Sequence, residues 1–127
     1  MVLKDLLLHY PHETLEEKEN ALKEVVQEIA LLGLSRTDFF SKAAFYGGTC
    51  LRLFYGLPRF SEDLDFALKQ PNQEFSLHSY FNEIERTFVS FGFRVEVGSK
   101  EAIDEGNIRS AFIKGGTLAH LFSVFPD

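Results

Sequence analysis

From Thr14 onward, apolar residues recur three and four apart, at Leu22, Val25, Val26, Ile29 and Leu32, while Glu16, Lys18, Glu19, Lys23, Glu24 and Glu28 fall elsewhere. That spacing predicts an amphipathic helix with a packed stripe under a solvated, charged face. Thr14 and Glu17 have capping-box spacing at its start, and Gly33 is placed to cap its end. Upstream, residues 3–9 suffice for a turn or two of helix before Pro11. Downstream, Ser35 to Lys42 predicts a short helix with Ser35 or Thr37 as its cap. Ala43 to Tyr46 is then a small apolar run that stops at Gly47-Gly48, which suits a buried strand feeding a tight turn.

The second half alternates strand and helix signals. Thr49 to Tyr55 reads as a short helix, which Gly56, Pro58 and Phe60 interrupt. In a strand from Leu64 to Leu68, Leu64 and Phe66 share one face, and Asp63 and Asp65 share the other. Pro71-Asn72-Gln73 makes a turn. Ser76 then caps a helix whose apolar positions are Leu77, Tyr80, Phe81, Ile84, Phe88 and Phe91, with Gly92 at its end. The helical period of those phenylalanines assigns them to a core rather than to base stacking. Phe93 to Val97 alternates as a third strand. Ile108 to Lys114 reads as a fourth, antiparallel to the third across the polar connection Ser99–Gly106. After the Gly115-Gly116 turn, Leu118 to Val124 suits a helix or an edge strand equally. The expected class is α/β (α+β), a mixed β-sheet flanked by helices. It forms one domain over residues 1–127, with a helical segment 1–42 and a core 43–127.

Composition narrows the function classes. A chain of 127 residues can bury a core without staples, and its formal charge of −6 argues against broad polyanion binding. Cys50 is the single cysteine, so no disulfide framework or cysteine-based metal cluster exists, and it reads as a small buried thiol. His9, His12, His78 and His120 lack metal-ligand spacing. The N-terminal apolar run is broken by charge, and no window reaches the length of a membrane span, so a cytoplasmic protein without membrane contact is expected.

The chemistry concentrates between Gly47 and Asp65. Two glycines between a strand and a helix let backbone N–H groups turn toward an anion, and Thr49 adds a hydroxyl there. The triplet alone is cheap, because Gly115-Gly116-Thr117 repeats it with no carboxylates following and reads as structural. Asp63 and Asp65, two apart on a strand, can hold one hard divalent cation, or can be a solvated strand face. Arg52 and Arg59 suit phosphate contacts or pairing with Glu62. On adjacent parallel strands, the glycines and the aspartates would meet at one sheet edge. A magnesium ion on the aspartates would there bridge to phosphates of a nucleoside triphosphate on the glycine turn.

The run hydrophobic-Gly47-Gly48-Thr49, then Leu51-Arg52-Leu53, then Arg59-Phe60-Ser61-Glu62-Asp63-Leu64-Asp65-Phe66, resembles the nucleotidyltransferase superfamily related to DNA polymerase beta. More closely, it resembles the toxins of the AbiEii/AbiGii (type IV toxin–antitoxin, MenA-like) family. The resemblance implies a nucleotidyltransferase-like sheet, a glycine turn holding a nucleoside triphosphate, and Mg2+ on Asp63 and Asp65, with Arg59 and Ser61 shaping the loop before them. It also implies nucleotide transfer to an RNA or protein acceptor, transfer RNA (tRNA) above all, and an antitoxin protein as partner. Such transfer normally uses a third carboxylate, for which Glu96 is the strand candidate. Lys114 is the candidate for the family's nucleotide-binding lysine. Members usually continue into a further strand and a helical domain, whereas this sequence stops at Asp127. The chain is therefore expected to be a truncated form, a fragment, or a compact variant that completes its site by association, with an exposed sheet edge favouring a homo-oligomer. Two readings stay open: a nucleotidyltransferase, or a catalytically incomplete domain of that fold which binds a partner.

Overall fold

In the computed structural model, which describes residues 7–46, 53, 64–70, 75–98, 110–115 and 118–125, the first helix starts where its capping signal places it. This helix, α1, spans Leu15–Ser35. Thr14 Oγ1 accepts the Glu17 N–H at 3.0 Å, and Glu17 Oε1 accepts the Thr14 N–H at 3.1 Å. The reciprocal pair satisfies two donors that the helix start would otherwise leave open. Val25, Val26, Ile29, Ala30 and Leu34 form the buried stripe, joined by Glu24 and Gln27, while Leu32 is exposed. Gly33 does not end the helix. Its chain continues to Ser35, and the Arg36 and Thr37 N–H groups close the last turn on the Gly33 and Leu34 carbonyls.

A short helix α2, Phe39–Lys42, follows. The Thr37 hydroxyl accepts the Phe39 N–H at 3.1 Å, so Thr37 rather than Ser35 serves that start. Ser76 Oγ accepts the His78 N–H at 3.3 Å and opens a 3₁₀ turn, Leu77–Tyr80, which continues as α3, Phe81–Ser90. Gly92, at φ +77°, ends α3 in the left-handed region that favours glycine. Phe93 N–H returns to the Phe88 carbonyl and Gly92 N–H to that of Val89, the Schellman pattern. Gly33 is buried where α1 meets α3: a β-carbon there would stand 3.2 Å from Ile84 Cα.

Five strands form one sheet: β1 Ala43–Tyr46, β2 Leu64–Leu68, β3 Glu96–Gly98, β4 Ser110–Gly115 and β5 Leu118–Phe125. Their order is β1-β2-β5-β4-β3. β2 and β5 run parallel, and the other three pairings are antiparallel, so the sheet is mixed and the fold is α+β. Three expectations change. β1 and β2 are neighbours but antiparallel, not parallel. β3 is shorter than the alternating run, because Phe93 to Val95 lie outside the ladder. Leu118 to Val124 is neither helix nor edge: β5 sits in the middle of the sheet, paired on both sides.

One face of the sheet carries the core. Ala43, Leu64, Phe66, Leu68, Val97 and Ile113 are buried in one cluster with the stripe of α1 and with Ile84 and Phe88 of α3. Phe39 packs edge-on against Phe66 with ring centroids 4.8 Å apart and against Tyr80 at 5.3 Å. Aromatic pairs in this geometry add about 0.5–1.5 kcal/mol each beyond burial. On the opposite face Ala44, Tyr46 and Glu96 are exposed, and Asp65 and Ala67 are partly so. The β3 edge is tied down by α3, for Glu85 Oε1 accepts the Val97 N–H at 3.2 Å.

Candidate active site

β1 and β2 pair with Tyr46 opposite Asp65. In an antiparallel pair, the end of one strand lies beside the start of the next. The chain therefore leaves β1 and re-enters β2 at the same end of the sheet. Asp65 stands on the face away from the core, since Leu64 and Phe66 on either side of it are fully buried. This matches the expected split, with apolar residues on one face and the carboxylate on the other. Tyr46 shares that face, because residues directly opposite in a ladder point the same way. In the sequence Tyr46 ends the strand and immediately precedes the glycine pair.

Gly47, Gly48, Thr49, Arg52, Arg59, Ser61 and Asp63 lie outside the described residues, as does the helix expected over Thr49–Tyr55 apart from Leu53. Glu96 and Lys114 are brought together, opposite each other in the β3–β4 ladder. They are not brought to Asp65. Glu96 is three strands from β2, about 14 Å at ordinary strand spacing, and Lys114 is two strands away. The position on β5 in register with Asp65 is Ser123. Neither strand beside β2 contains an aspartate or glutamate: β1 reads Ala-Ala-Phe-Tyr, and β5 reads Leu-Ala-His-Leu-Phe-Ser-Val-Phe. No group of three histidine, cysteine or acidic residues suited to a metal occurs among the described residues.

A cavity of about 400 Å³ lies on the other side of β1, lined by Glu28, Leu31, Leu32, Ser35, Phe40, Phe45 and Leu53. Phe45 alternates with Tyr46 and packs on Phe66 with ring centroids 5.3 Å apart, so this cavity and Asp65 are on opposite faces of the sheet. Loss of solvent pushes the Glu28 carboxyl above its ordinary value, against the pull of the Tyr10 hydroxyl that donates to it at 2.9 Å. An apolar hollow with one such carboxylate is the wrong chemistry for a triphosphate, which needs donors and cations. The face bearing Asp65 has the oxygen ligand that a hard divalent cation takes, in partial contact with solvent.

No helix among the described residues is long and apolar enough to cross a membrane. No curated protein and no solved structure matches the chain. A family model of the nucleotidyl transferase AbiEii toxin of type IV toxin–antitoxin systems matches residues 29–122, from the second half of α1 into β5. That span takes in β1 to β4 and most of β5, together with the whole stretch from Gly47 to Asp65. The chain belongs to the AbiEii nucleotidyl transferase toxin family.

Proposed function

We propose that the chain binds a magnesium–nucleoside triphosphate at the end of the sheet where β1 stops and β2 begins, and transfers the nucleotide to an acceptor hydroxyl. The observation that carries this reading is the register of Tyr46 with Asp65. β1 ends at Tyr46, beside the strand that bears Asp65, and the next residues in the chain are Gly47-Gly48-Thr49, which supports a shared role for the glycine segment and the carboxylate. In this reading Gly47, Gly48 and Thr49 hold phosphate oxygens, Arg52 and Arg59 offset their charge, and Ser61 shapes the loop. Asp63 and Asp65 would hold the cation, which would screen the charge of the triphosphate. The acceptor hydroxyl oxygen attacks the α-phosphorus in line, the bond from that phosphorus to the bridging oxygen breaks so that pyrophosphate leaves, and the hydroxyl proton passes to water. Transfer RNA is the acceptor class proposed, and an antitoxin protein the partner.

A second reading is favoured by the sequences of β1 and β5, which place no carboxylate beside Asp65 among the described residues. There the domain keeps the fold, is catalytically incomplete, and acts by binding an antitoxin or a second copy of itself. Calorimetry with each nucleoside triphosphate, with and without magnesium, tests the nucleotide site. Wild type should bind only with magnesium, and the pair Asp63→Ala/Asp65→Ala should lose that dependence entirely. Absent binding, or binding unchanged in the double variant, would sink the site. A transfer assay with labelled triphosphates and bulk RNA then separates the readings, since labelled RNA supports the enzyme and binding without transfer supports the module.

A further inference from the structure

We infer that the Tyr46 ring is a stacking platform for the base of the bound nucleoside triphosphate, an inference that rests on the reading above. Three observations converge. Tyr46 is 43% exposed, although the aromatic residue before it on the same strand turns into the core. It stands directly opposite Asp65, and opposed residues in an antiparallel ladder have β-carbons about 4.5–5.5 Å apart. The next residue in the chain is Gly47, the first of the pair assigned to the phosphates. A large aromatic side chain is thus held by a strand, in contact with solvent, opposite Asp65 and one residue before the glycine pair proposed to hold the phosphates. Nothing else described on β1 or β2 offers an aromatic ring to that face: Ala44, Asp65 and Ala67 are its other residues.

Tyrosine also suits strands for its own packing, and that use alone would explain its presence. The two roles differ in what they do to a ligand. A packing role supports the strand and so affects the phosphate and metal groups together. A stacking role touches only the base. Base–aromatic stacking tolerates every base, because each has a π-face, so Tyr46 raises affinity for all four nucleotides and selects among them weakly.

Magnesium-dependent binding of a nucleoside triphosphate and of inorganic tripolyphosphate is measured on wild type, Tyr46→Phe and Tyr46→Leu. The leucine variant should bind every nucleoside triphosphate about thirtyfold more weakly, the middle of the range for one stacked base, with the larger loss for purines. Its affinity for tripolyphosphate should stay at the wild-type value, which also reports an intact fold. The phenylalanine variant should match wild type for both ligands. An unchanged nucleotide affinity in Tyr46→Leu, or an equal fall for tripolyphosphate, overturns the stacking role and leaves the phosphate site standing. If wild type binds neither ligand, the phosphate site and the stacking role fall together.

Discussion

The Tyr80 hydroxyl donates to Asp38 Oδ1 at 2.8 Å and joins the 3₁₀ turn to the start of α2. Burial first, and then the bond to Asp38 and its charge, push the Tyr80 pKa up from 10.0 to about 12. The same bond is the largest cause holding Asp38 below its ordinary value, with Lys42 at 3.3 Å assisting. The sign at the alkaline end follows from the proton count. Above the unfolded tyrosine value the unfolded chain releases a proton that the folded chain keeps, so stability falls as pH rises from 10.0 toward about 12. Tyr80→Phe should cost about 1 kcal/mol at neutral pH, the net worth of one hydrogen bond. Phenylalanine has no proton to release, so the gap between variant and wild type should narrow at alkaline pH. Urea unfolding at neutral pH and at about pH 11 reads both values. A gap that stays constant would show that folding does not raise the Tyr80 pKa. At the acid end, Asp38 contributes above its unfolded value of 3.8, and that part is lost as pH falls through its lowered folded value.

At the scale of elements, the contact of α1 with α3 turns on Gly33. Alanine there raises helix propensity by about 1 kcal/mol. Its methyl group, however, meets Ile84 Cα at 3.2 Å and Thr87 Oγ1 at 3.2 Å, and the first of these is backbone of a packed helix. Overpacking of this kind costs about 1–3 kcal/mol. Gly33→Ala should therefore lose about 1 kcal/mol net, and Gly33→Val more, in denaturant midpoints at constant slope. An alanine variant as stable as wild type would mean that the contact with α3 costs no more than the propensity gain of about 1 kcal/mol. Gly33 also shows what was legible in the sequence. Signals that act within a few residues were readable: the Thr14–Glu17 box, the Ser76 cap, Gly92, and the alternation that put Asp65 opposite the core. Gly33 looked like a cap because its real neighbour is more than fifty positions away. β5 was ambiguous because a strand paired on both sides, with a long apolar run, has neither clean period. The same distance effect hid the separation of Glu96 from Asp65, which only strand order reveals.

At the scale of the whole molecule, every described helix with a buried face packs on one side of the sheet, and Asp65 and Tyr46 stand on the other. The packed core and the proposed ligand chemistry thereby fall on different faces. What holds the sheet together is β5. It pairs with β2 on one side and β4 on the other, and without it the β1–β2 pair and the β3–β4 pair share no ladder. A chain stopped after Gly115 should accordingly show no cooperative thermal transition and should bind a hydrophobic dye, as loosely packed states do. A cooperative melt for that chain would mean that the helices alone fix the two halves.

Biosynthesis reads these elements in a different order from the sheet. The strand that unites the two halves is the last described element to emerge from the ribosome. At translation rates of about 5–20 residues per second, β1, β2 and α3 wait seconds for it. During that interval the Tyr46–Asp65 ladder has no neighbour on its β5 side. For a domain of a toxin family, this order delays the finished sheet around Tyr46 and Asp65, where the nucleotide is proposed to bind, until almost all of the described chain has been made.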